Sequence, residues 1–373
     1  MKRIKENIYN SLITILLVLY FLMTLLSLIY TSDILYGVKI ILRMSPFLIF
    51  PLVILNYSEY FNRNLLERCL QFLLYGVLTA IVICGVYSGY QTYIYGAFNP
   101  LNISNGNFFS YFNLTQFVDI HPIYFGTYVL LSSGYLLIKL LETRSTKRKK
   151  FVYLFLLIVL AIYLFLLNSF MLIIIFSVMM VFYLGYCLRK GIGLIYIISF
   201  LILSIYPTFK ASYFLQEKLK GINIVEDFTT TDFSGNDFTA IKARNAKATS
   251  SIQVIKENPL FGVGIGDAKS KLIEQYQKNG FDHGVQMQFN SHNQYLTTFI
   301  GLGIGGITIL LFSIFLMIYE SILLRNPYLF FFSIICSLFM LTESILERQS
   351  GIVFFSFFSV MLSYNFRVLK NEK

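Results

Sequence analysis

The sequence predicts an all-α, polytopic transmembrane helical bundle of about ten spans, with one large extracytoplasmic helical loop. Of its 373 residues, 56% are apolar and only 13% are charged, against about 25% charged in an average soluble domain. The mean hydropathy is +0.67, and the apolar residues form runs of about 17–25, the length that crosses a bilayer as a helix. A water-soluble enzyme and a disordered or fibrous chain are therefore excluded.

Ten candidate spans account for the apolar runs. They cover residues 8–30, 38–55, 70–95, 121–141, 151–167, 170–187, 192–209, 293–318, 328–342 and 352–366. The fifth and sixth spans form one continuous stretch of 37 residues. Because that stretch is too long for a single crossing, we expect a break at Asn168-Ser169. The predicted organisation is spans one to seven in 1–209, a loop in 210–291, and spans eight to ten with a cytoplasmic tail in 292–373.

The positions of the basic residues predict that both termini are cytoplasmic. With that orientation the inner segments carry 16 Lys and Arg, whereas the short outer segments carry one, Arg348. Cytoplasmic loops are enriched in Lys and Arg, and residues 143–150 (TRSTKRKK) alone hold five. The net charge of +11 therefore predicts contact with membrane lipid, and no nucleic-acid partner is expected. The four cysteines lie in or beside apolar runs, so no disulfide framework is predicted.

The loop at 210–291 has the composition of a small folded unit rather than of a linker. It carries 10 basic and 9 acidic residues, and its hydrophobic periodicity predicts amphipathic helices at 239–257 and about 268–279. Asp267 is a candidate N-cap for the second of these helices, and Gly280 is a candidate terminator. The positive-inside distribution places this loop on the outer side.

His292 is the strongest candidate for a catalytic group. It lies where the polar loop becomes the eighth span, and we expect Asn290 or Ser291 to cap that helix. The positive end of a helix dipole disfavours a charged imidazole, and a general base must be neutral before it accepts a proton. Eleven residues make three helical turns plus about 20°, so Gly303 is predicted to share a face with His292. A histidine that only caps or hydrogen-bonds locally is the alternative.

Other polar groups on the outer side are weaker candidates. His121 and Tyr124, in HPIYFGTY, could contact an acceptor or a lipid headgroup, although Pro122 at a helix start is also ordinary capping. Glu343 and Glu347, predicted one helical turn apart and next to Arg348, could orient a base or bind sugar hydroxyls, or form an ion-paired loop. Arg43 lies within a span, where charged residues are costly and usually functional.

The glycine-rich segment LFGVGIGD joins the two predicted loop helices. Because it follows no buried strand, a dinucleotide site is not indicated. The amides around Gly262, Gly264 and Gly266 could form an anion-binding nest, and a plain tight connection between two helices is the alternative. No carboxylate-rich Asp-x-Asp pattern occurs, so neither a metal nor a cofactor is expected.

These motifs together resemble the O-antigen ligase family. A His-Asn pair, nine intervening residues and a glycine form its signature, here His292-Asn293, residues 294–302 and Gly303. The stretch ARNAKATSSIQVIKENPLFGVGIGDAKSKLIEQY is similar to that family's arginine, amphipathic helix, Asn-Pro-Leu-Phe-Gly-x-Gly-x-Gly-Asp and second helix. Two further segments also resemble family blocks, HPIYFGTY at 121–128 and TESILERQSGIVFF at 342–355.

The resemblance implies the C-type glycosyltransferase architecture and an inverting, metal-independent transfer. Members take a glycan from undecaprenyl pyrophosphate to an acceptor on the outer face of the bacterial inner membrane. The acceptor would be lipid A-core for an O-antigen ligase in lipopolysaccharide biosynthesis, or a second lipid-linked glycan for a repeat-unit polymerase. The resemblance assigns His292 as the base and Arg244 as the arginine that holds the pyrophosphate, with Asn293 and Gly303 as supporting residues.

One family feature is missing from this sequence. Ligases of the family often carry an arginine after a serine at the outer end of a span, and here Ser169 is followed by Phe170. Candidate replacements are Lys210, Arg348 and the intramembrane Lys39 and Arg43. Ligase is the preferred function, with polymerase as the first alternative.

A transporter or flippase without catalysis is the second alternative, suggested by the intramembrane cations. A transporter does not need an 82-residue outer loop, and no paired broken helices that would indicate inverted repeats are evident. An enzyme is therefore favoured over a transporter.

Overall fold

The computed structural model describes residues 12–57, 60, 62–95, 108–142, 146–189, 233 and 240–371. The predicted seventh span at 192–209 and Lys210 lie outside the described residues, as does most of 210–239. Within the described residues every regular element is helical. The all-α fold class is therefore confirmed.

The helices in chain order are α1 (Leu12–Leu26), α2 (Ile34–Met44), α3 (Pro46–Asn56), α4 (Arg63–Tyr95), α5 (Tyr111–Thr115), α6 (Pro122–Leu141), α7 (Lys147–Leu166), α8 (Phe170–Arg189), α9 (Ala240–Glu257), α10 (Ala268–Lys278), α11 (Asp282–Gln286), α12 (Gln294–Leu323), α13 (Pro327–Phe339) and α14 (Gln349–Asn371). Short 3₁₀ turns cover Ser27–Ile29, Gln116–Val118 and Ile345–Glu347.

Seven helical stretches in the described residues are long and apolar enough to cross a membrane. They are Leu12–Ile29, Ile34–Ile54, Arg63–Tyr95, Pro122–Leu141, Lys147–Leu166, Phe170–Arg189 and Gln294–Leu323. The last two predicted spans correspond to shorter apolar helices, Pro327–Phe339 and Gln349–Tyr364. A polytopic helical membrane protein is confirmed, and these two helices overlap the short spans predicted at 328–342 and 352–366.

The predicted break in the long apolar stretch is observed between α7 and α8. Asn168 has φ 50°, and its N–H donates to the carbonyl of Phe165 at 3.0 Å. Asparagine tolerates this left-handed conformation better than most residues and commonly ends helices. The polar pair Asn168-Ser169 therefore ends one apolar helix and allows the next to begin at Phe170.

The chain divides into two compact units. The first comprises Met1–Glu59, Lys210–Glu320 and Cys336–Arg367, and the second comprises Tyr60–Phe209, Ser321–Ile335 and Val368–Lys373. In the second unit α6 is the central helix, with 83% of its apolar window buried. Close packing requires small residues there, since a Cβ on Gly126 would lie 2.1 Å from the Leu172 side chain.

The first unit contains α1 to α3, the loop helices and α12. In its apolar part the Tyr20 and Phe47 rings lie 5.6 Å apart, and the Tyr20 hydroxyl lies 2.9 Å from the Thr298 hydroxyl. A second core gathers around the loop helices. It consists of Phe233, Ala246, Val254, Ile255, Leu272, Tyr276, Phe281 and Ile300.

Both predicted loop helices are present, as α9 and α10. Gly280 has φ 70° and ends α10, while the following N–H of Phe281 donates to the carbonyl of Tyr276 at 2.9 Å. The buried face of α9 differs from its apolar pattern, because Ile252 is 44% exposed whereas Lys247 is 9% exposed. A lysine is thus buried on the face that packs into this unit.

Candidate functional site

His292 lies in a sharp turn immediately before α12. Its φ is 46°, an uncommon conformation for a residue with a side chain and one in which histidine is several-fold enriched. The helix begins at Gln294, and its cap is Asn293, whose Oδ1 accepts the N–H of Leu296 at 3.1 Å. The prediction that Asn290 or Ser291 caps this helix is therefore wrong.

Asn290 and Ser291 instead fold the turn itself. The Oδ1 atom of Asn290 accepts the N–H of His292 at 3.0 Å, and the Ser291 hydroxyl accepts the N–H of Asn293 at 3.2 Å. The buried Tyr276 hydroxyl donates to the Asn290 carbonyl at 3.2 Å. Side-chain hydrogen bonds thus hold the backbone of His292 in its left-handed conformation.

A carboxylate faces the imidazole. His292 Nδ1 lies 3.4 Å from Glu343 Oε2, and both side chains are partly buried, with exposed fractions of 35% and 18%. Of the two carboxylates that the sequence offers for orienting the base, Glu343 is the one that faces the histidine. The predicted α-helical spacing of the two carboxylates is wrong, because Glu343 lies outside any helix and Glu347 ends a 3₁₀ turn.

The residues after His292 position the segment that carries Glu343. Asn293 Nδ2 donates to the carbonyl of Leu341 at 3.1 Å, and the N–H of Gln294 donates to the carbonyl of Met340 at 2.8 Å. The buried Gln294 side chain also accepts the N–H of Leu346 at 2.8 Å. The His-Asn-Gln sequence therefore fixes both members of the imidazole–carboxylate pair, a role that its sequence pattern does not show.

Glu347 lies beside the same turn. Asn290 Nδ2 donates to its carboxylate, and Arg43 donates to its backbone carbonyl at 3.0 Å. Burial raises the pKa of the Glu347 carboxyl, and the hydrogen bond from Asn290 opposes this shift. Arg43, predicted from its intramembrane position, therefore reaches the site through a backbone contact, while the Arg348 side chain is exposed.

One cation of α9, Lys247, lies near this pair, and Arg244 lies almost one turn before it on the same helix. Arg244 is exposed, and Lys247, almost one turn later, is buried with its Nζ 4.2 Å from the centroid of the Phe289 ring. The Phe289 ring centroid lies 5.9 Å from that of His292. Burial lowers the pKa of Lys247 to about 8, with the charge of Glu343 opposing and that of Arg244 reinforcing the shift.

Gly303 interrupts α12 instead of continuing its face. Its φ of 61° and ψ of −158° are not helical, so the prediction that His292 and Gly303 share a helix face is wrong.

The glycine-rich loop pairs with the backbone of α12 at this break. The three bonds are Val263 N–H to Ile300 O at 2.8 Å, Gly264 N–H to Gly301 O at 3.1 Å and Ile304 N–H to Pro259 O at 3.0 Å.

The loop amides are occupied by these and similar contacts, so an anion nest is not available. The N–H of Gly262 donates to the carbonyl of Asn258 at 3.1 Å, and the N–H of Gly266 donates to the Thr31 hydroxyl at 3.2 Å. The glycines also permit close approach, since a Cβ on Gly264 would lie 2.1 Å from Thr31 Oγ1. The alternative of a tight connection between helices is the correct one.

Asp267 occupies the predicted N-cap position, but its carboxylate is used elsewhere. It accepts the N–H of Ser32 at 2.6 Å and that of Asp33 at 2.9 Å, and it makes no side-chain cap bond to α10. The residue therefore joins the loop helices to the turn between α1 and α2, and the prediction of a side-chain cap is wrong.

His121 and Tyr124 belong to the second unit. His121 Nδ1 accepts the N–H of Ile123 at 3.4 Å at the start of α6, and its ring centroid lies 4.6 Å from that of Phe112 and 5.8 Å from that of Tyr124. Tyr124 is only 4% exposed. These contacts favour the capping interpretation of HPIYFGTY.

Sequence reasoning missed Lys247, Phe289 and Gln294. Lys247 follows Arg244 by three residues, and residues three apart on a helix are neighbours, so that spacing was the available signal.

Within the described part of the chain, no group of three or more His, Cys, Asp or Glu side chains is placed to hold a metal ion.

The apolar helices define the class of this protein as a multipass membrane protein. Residues 153–311, less than half of the chain, match the family described as O-antigen ligase, so this segment is similar to that family, in agreement with the resemblance of the motifs. Members of this family are membrane glycosyltransferase-like enzymes. The matched segment contains Arg244, Lys247, His292 and Gly303, whereas Glu343 lies beyond it. No curated protein matches the chain.

Proposed function

We propose that the protein transfers a glycan from undecaprenyl pyrophosphate to an acceptor on the outer face of the inner membrane. The preferred reaction is ligation of O-antigen to lipid A-core. The observation that carries this proposal is the His292–Glu343 pair at 3.4 Å, located near Lys247 of α9. The family match over the segment that contains His292 and Arg244 supports the same conclusion.

In the proposed reaction His292 is the general base. A proton on Nδ1 facing Glu343 leaves Nε2 as the acceptor, the arrangement in which a carboxylate orients an imidazole and stabilises the imidazolium that forms. Nε2 takes the proton of the acceptor hydroxyl as its oxygen bonds to the anomeric carbon. The bond from that carbon to the pyrophosphate oxygen breaks, and in-line displacement inverts the anomeric centre.

Arg244 is proposed to bind the departing pyrophosphate. A guanidinium remains charged and presents paired N–H donors that match phosphate oxygens, and its side chain is exposed rather than committed to the core. Since cations aimed at the leaving oxygens stabilise the charge that develops there, transfer should not require a metal and should continue in EDTA.

The test is the variant His292→Ala, with His283→Ala as the matched control because His283 is exposed on neighbouring α11. Loss of a general base typically costs about 10²–10⁴-fold in rate, so His292→Ala should lose transfer while protein level and thermal stability are maintained. Glycan transfer would be measured with purified protein, lipid-linked donor and acceptor. Transfer by His292→Ala equal to that of His283→Ala would contradict the proposal.

A polymerase is the second candidate, favoured by the absence of an arginine after Ser169. The products of a deletion strain separate the two reactions. Loss of a ligase leaves polymerised glycan on undecaprenyl pyrophosphate and bare lipid A-core, whereas loss of a polymerase leaves lipid A-core bearing a single repeat unit. A transporter would show no transfer by the purified protein in detergent.

A further inference from the structure

Lys247 has surroundings that a purely structural lysine does not require. It is 9% exposed, and among the described residues its ammonium forms neither a salt bridge nor a hydrogen bond. Within the described part of the chain, its close partner is the face of Phe289, at 4.2 Å from Nζ to the ring centroid. Burying a charge is costly unless it is paired and hydrogen-bonded, and a cation–π contact offsets only part of that cost.

The charges around Lys247 indicate the sign of the missing partner. Arg244, three residues earlier on α9, adds positive charge that acts on Lys247, while Glu343 is the acidic group that acts on it. Glu343 itself faces His292 at 3.4 Å. Among the described residues of the site, both carboxylates are already engaged, Glu343 by His292 and Glu347 by Asn290, which leaves the cations of α9 to favour an anion as the ligand.

We propose that Lys247 is a donor-binding residue whose ammonium binds the diphosphate of the lipid-linked substrate together with Arg244. This inference rests on the proposed function and adds to it the second cation for the leaving group. Phe289 packs against both groups, since its ring centroid lies 4.2 Å from the ammonium and 5.9 Å from the imidazole centroid. As the anomeric carbon–oxygen bond breaks, the electron pair remains on the diphosphate oxygen, and the two cations stabilise that charge.

Lys247 is not one of the cations that the sequence suggested as replacements for the arginine missing after Ser169. Arg43 is committed to the carbonyl of Glu347 at 3.0 Å. Lys39 and Arg348 have exposed side chains, so neither carries the buried charge that distinguishes Lys247. Lys247 lies on the same helix as Arg244 and acts electrostatically on the carboxylate that faces the base.

The experiment measures the binding of three prenyl compounds of equal chain length to the detergent-solubilised full-length protein. The compounds are a prenyl diphosphate, the monophosphate and the uncharged alcohol. Lys247→Met is compared with wild type, with Lys247→Arg, which keeps the charge, and with Lys256→Met, which removes an exposed lysine of the same helix. Lys247→Met should weaken diphosphate binding by about 10- to 100-fold, the size of a charged hydrogen bond. Alcohol binding should not change, and Lys247→Arg should retain most of the affinity.

The outcomes separate this inference from the proposed function. If wild type binds the diphosphate no more tightly than the alcohol, the donor site fails and the proposed function fails with it. If wild type prefers the diphosphate and Lys247→Met keeps that preference, only the role of Lys247 is overturned.

A second measurement covers the case in which Lys247→Met does not fold. Wild type should lose preference for the diphosphate as the pH rises from 7 to 10 and the ammonium loses its proton, whereas Lys247→Arg should keep it. His292, Glu343 and Arg244 are present in both proteins, so the comparison isolates the lysine. The same pH dependence of the preference in wild type and in Lys247→Arg would overturn the inference.

Discussion

At the residue scale, a buried ammonium group without a carboxylate partner lowers the stability of the fold. Burial lowers the pKa of Lys247 from the ordinary lysine value of 10.5 to about 8, so between these values the unfolded chain binds more protons than the folded protein. The contribution of Lys247 to the free energy of unfolding therefore increases as the pH rises from about 8 toward 10.5. Below pH 8 the full cost of the buried charge is present.

The variant Lys247→Met removes this cost and should be more stable than wild type at pH 7, by about 1–3 kcal/mol. The difference should shrink at pH 9.5, where much of the wild-type lysine is neutral. Thermal unfolding in detergent at the two pH values measures both effects. A Met variant that is less stable than wild type at pH 7 would indicate that the ammonium stabilises the fold through Phe289.

At the element scale, the break in α12 depends on a glycine and on the loop that pairs with it. Gly303 adopts a conformation that is essentially restricted to glycine, and a Cβ there would lie 2.3 Å from the carbonyl oxygen of Leu260. The loop supplies backbone hydrogen bonds that an interrupted helix would otherwise lack. Gly303 therefore fixes the connection between α9 and α12. That connection includes the glycine-rich loop, and Asp267 at the end of the loop bonds to the turn between α1 and α2.

Gly303→Ala should destabilise the protein by roughly 2–6 kcal/mol, because backbone strain and the clash with Leu260 both contribute. Gly76→Ala in α4 is the control, since nothing lies within 4 Å of a Cβ at that position, and alanine is a better helix former than glycine. Thermal denaturation of the two purified variants tests this. Equal stability of the two variants would show that the break in α12 can straighten.

At the scale of the whole molecule, the distribution of basic residues predicts which face of the membrane each loop occupies. In a variant without the four native cysteines, a cysteine near Ser234 should react with an impermeant thiol reagent once the outer membrane is permeabilised. A cysteine near Thr146 should not react until the inner membrane is lysed. The reverse labelling pattern would place the His292 turn on the cytoplasmic side, where the proposed acceptor is not found.

The sequence by itself determined the features that depend on local composition. In the described residues, apolar run lengths predicted the spans, and the polar pair Asn168-Ser169 predicted the break between α7 and α8. Hydrophobic periodicity with Gly280 predicted both loop helices. These features follow because a helix satisfies its own backbone hydrogen bonds and because neighbouring residues set its ends. The motif around His292 likewise required only the order of residues along the chain.

The tertiary structure alone decided which distant groups meet. Glu343 rather than Glu347 faces His292 because Asn293 and Gln294 bind the backbone at residues 340–346, some fifty positions away. His292 and Gly303 do not share a helix face, as a regular helix would require, because hydrogen bonds from the glycine-rich loop replace helical ones at Gly303. Lys247 was not recognised because its burial depends on packing against Phe289, and spacing along one helix cannot specify what another segment places over it.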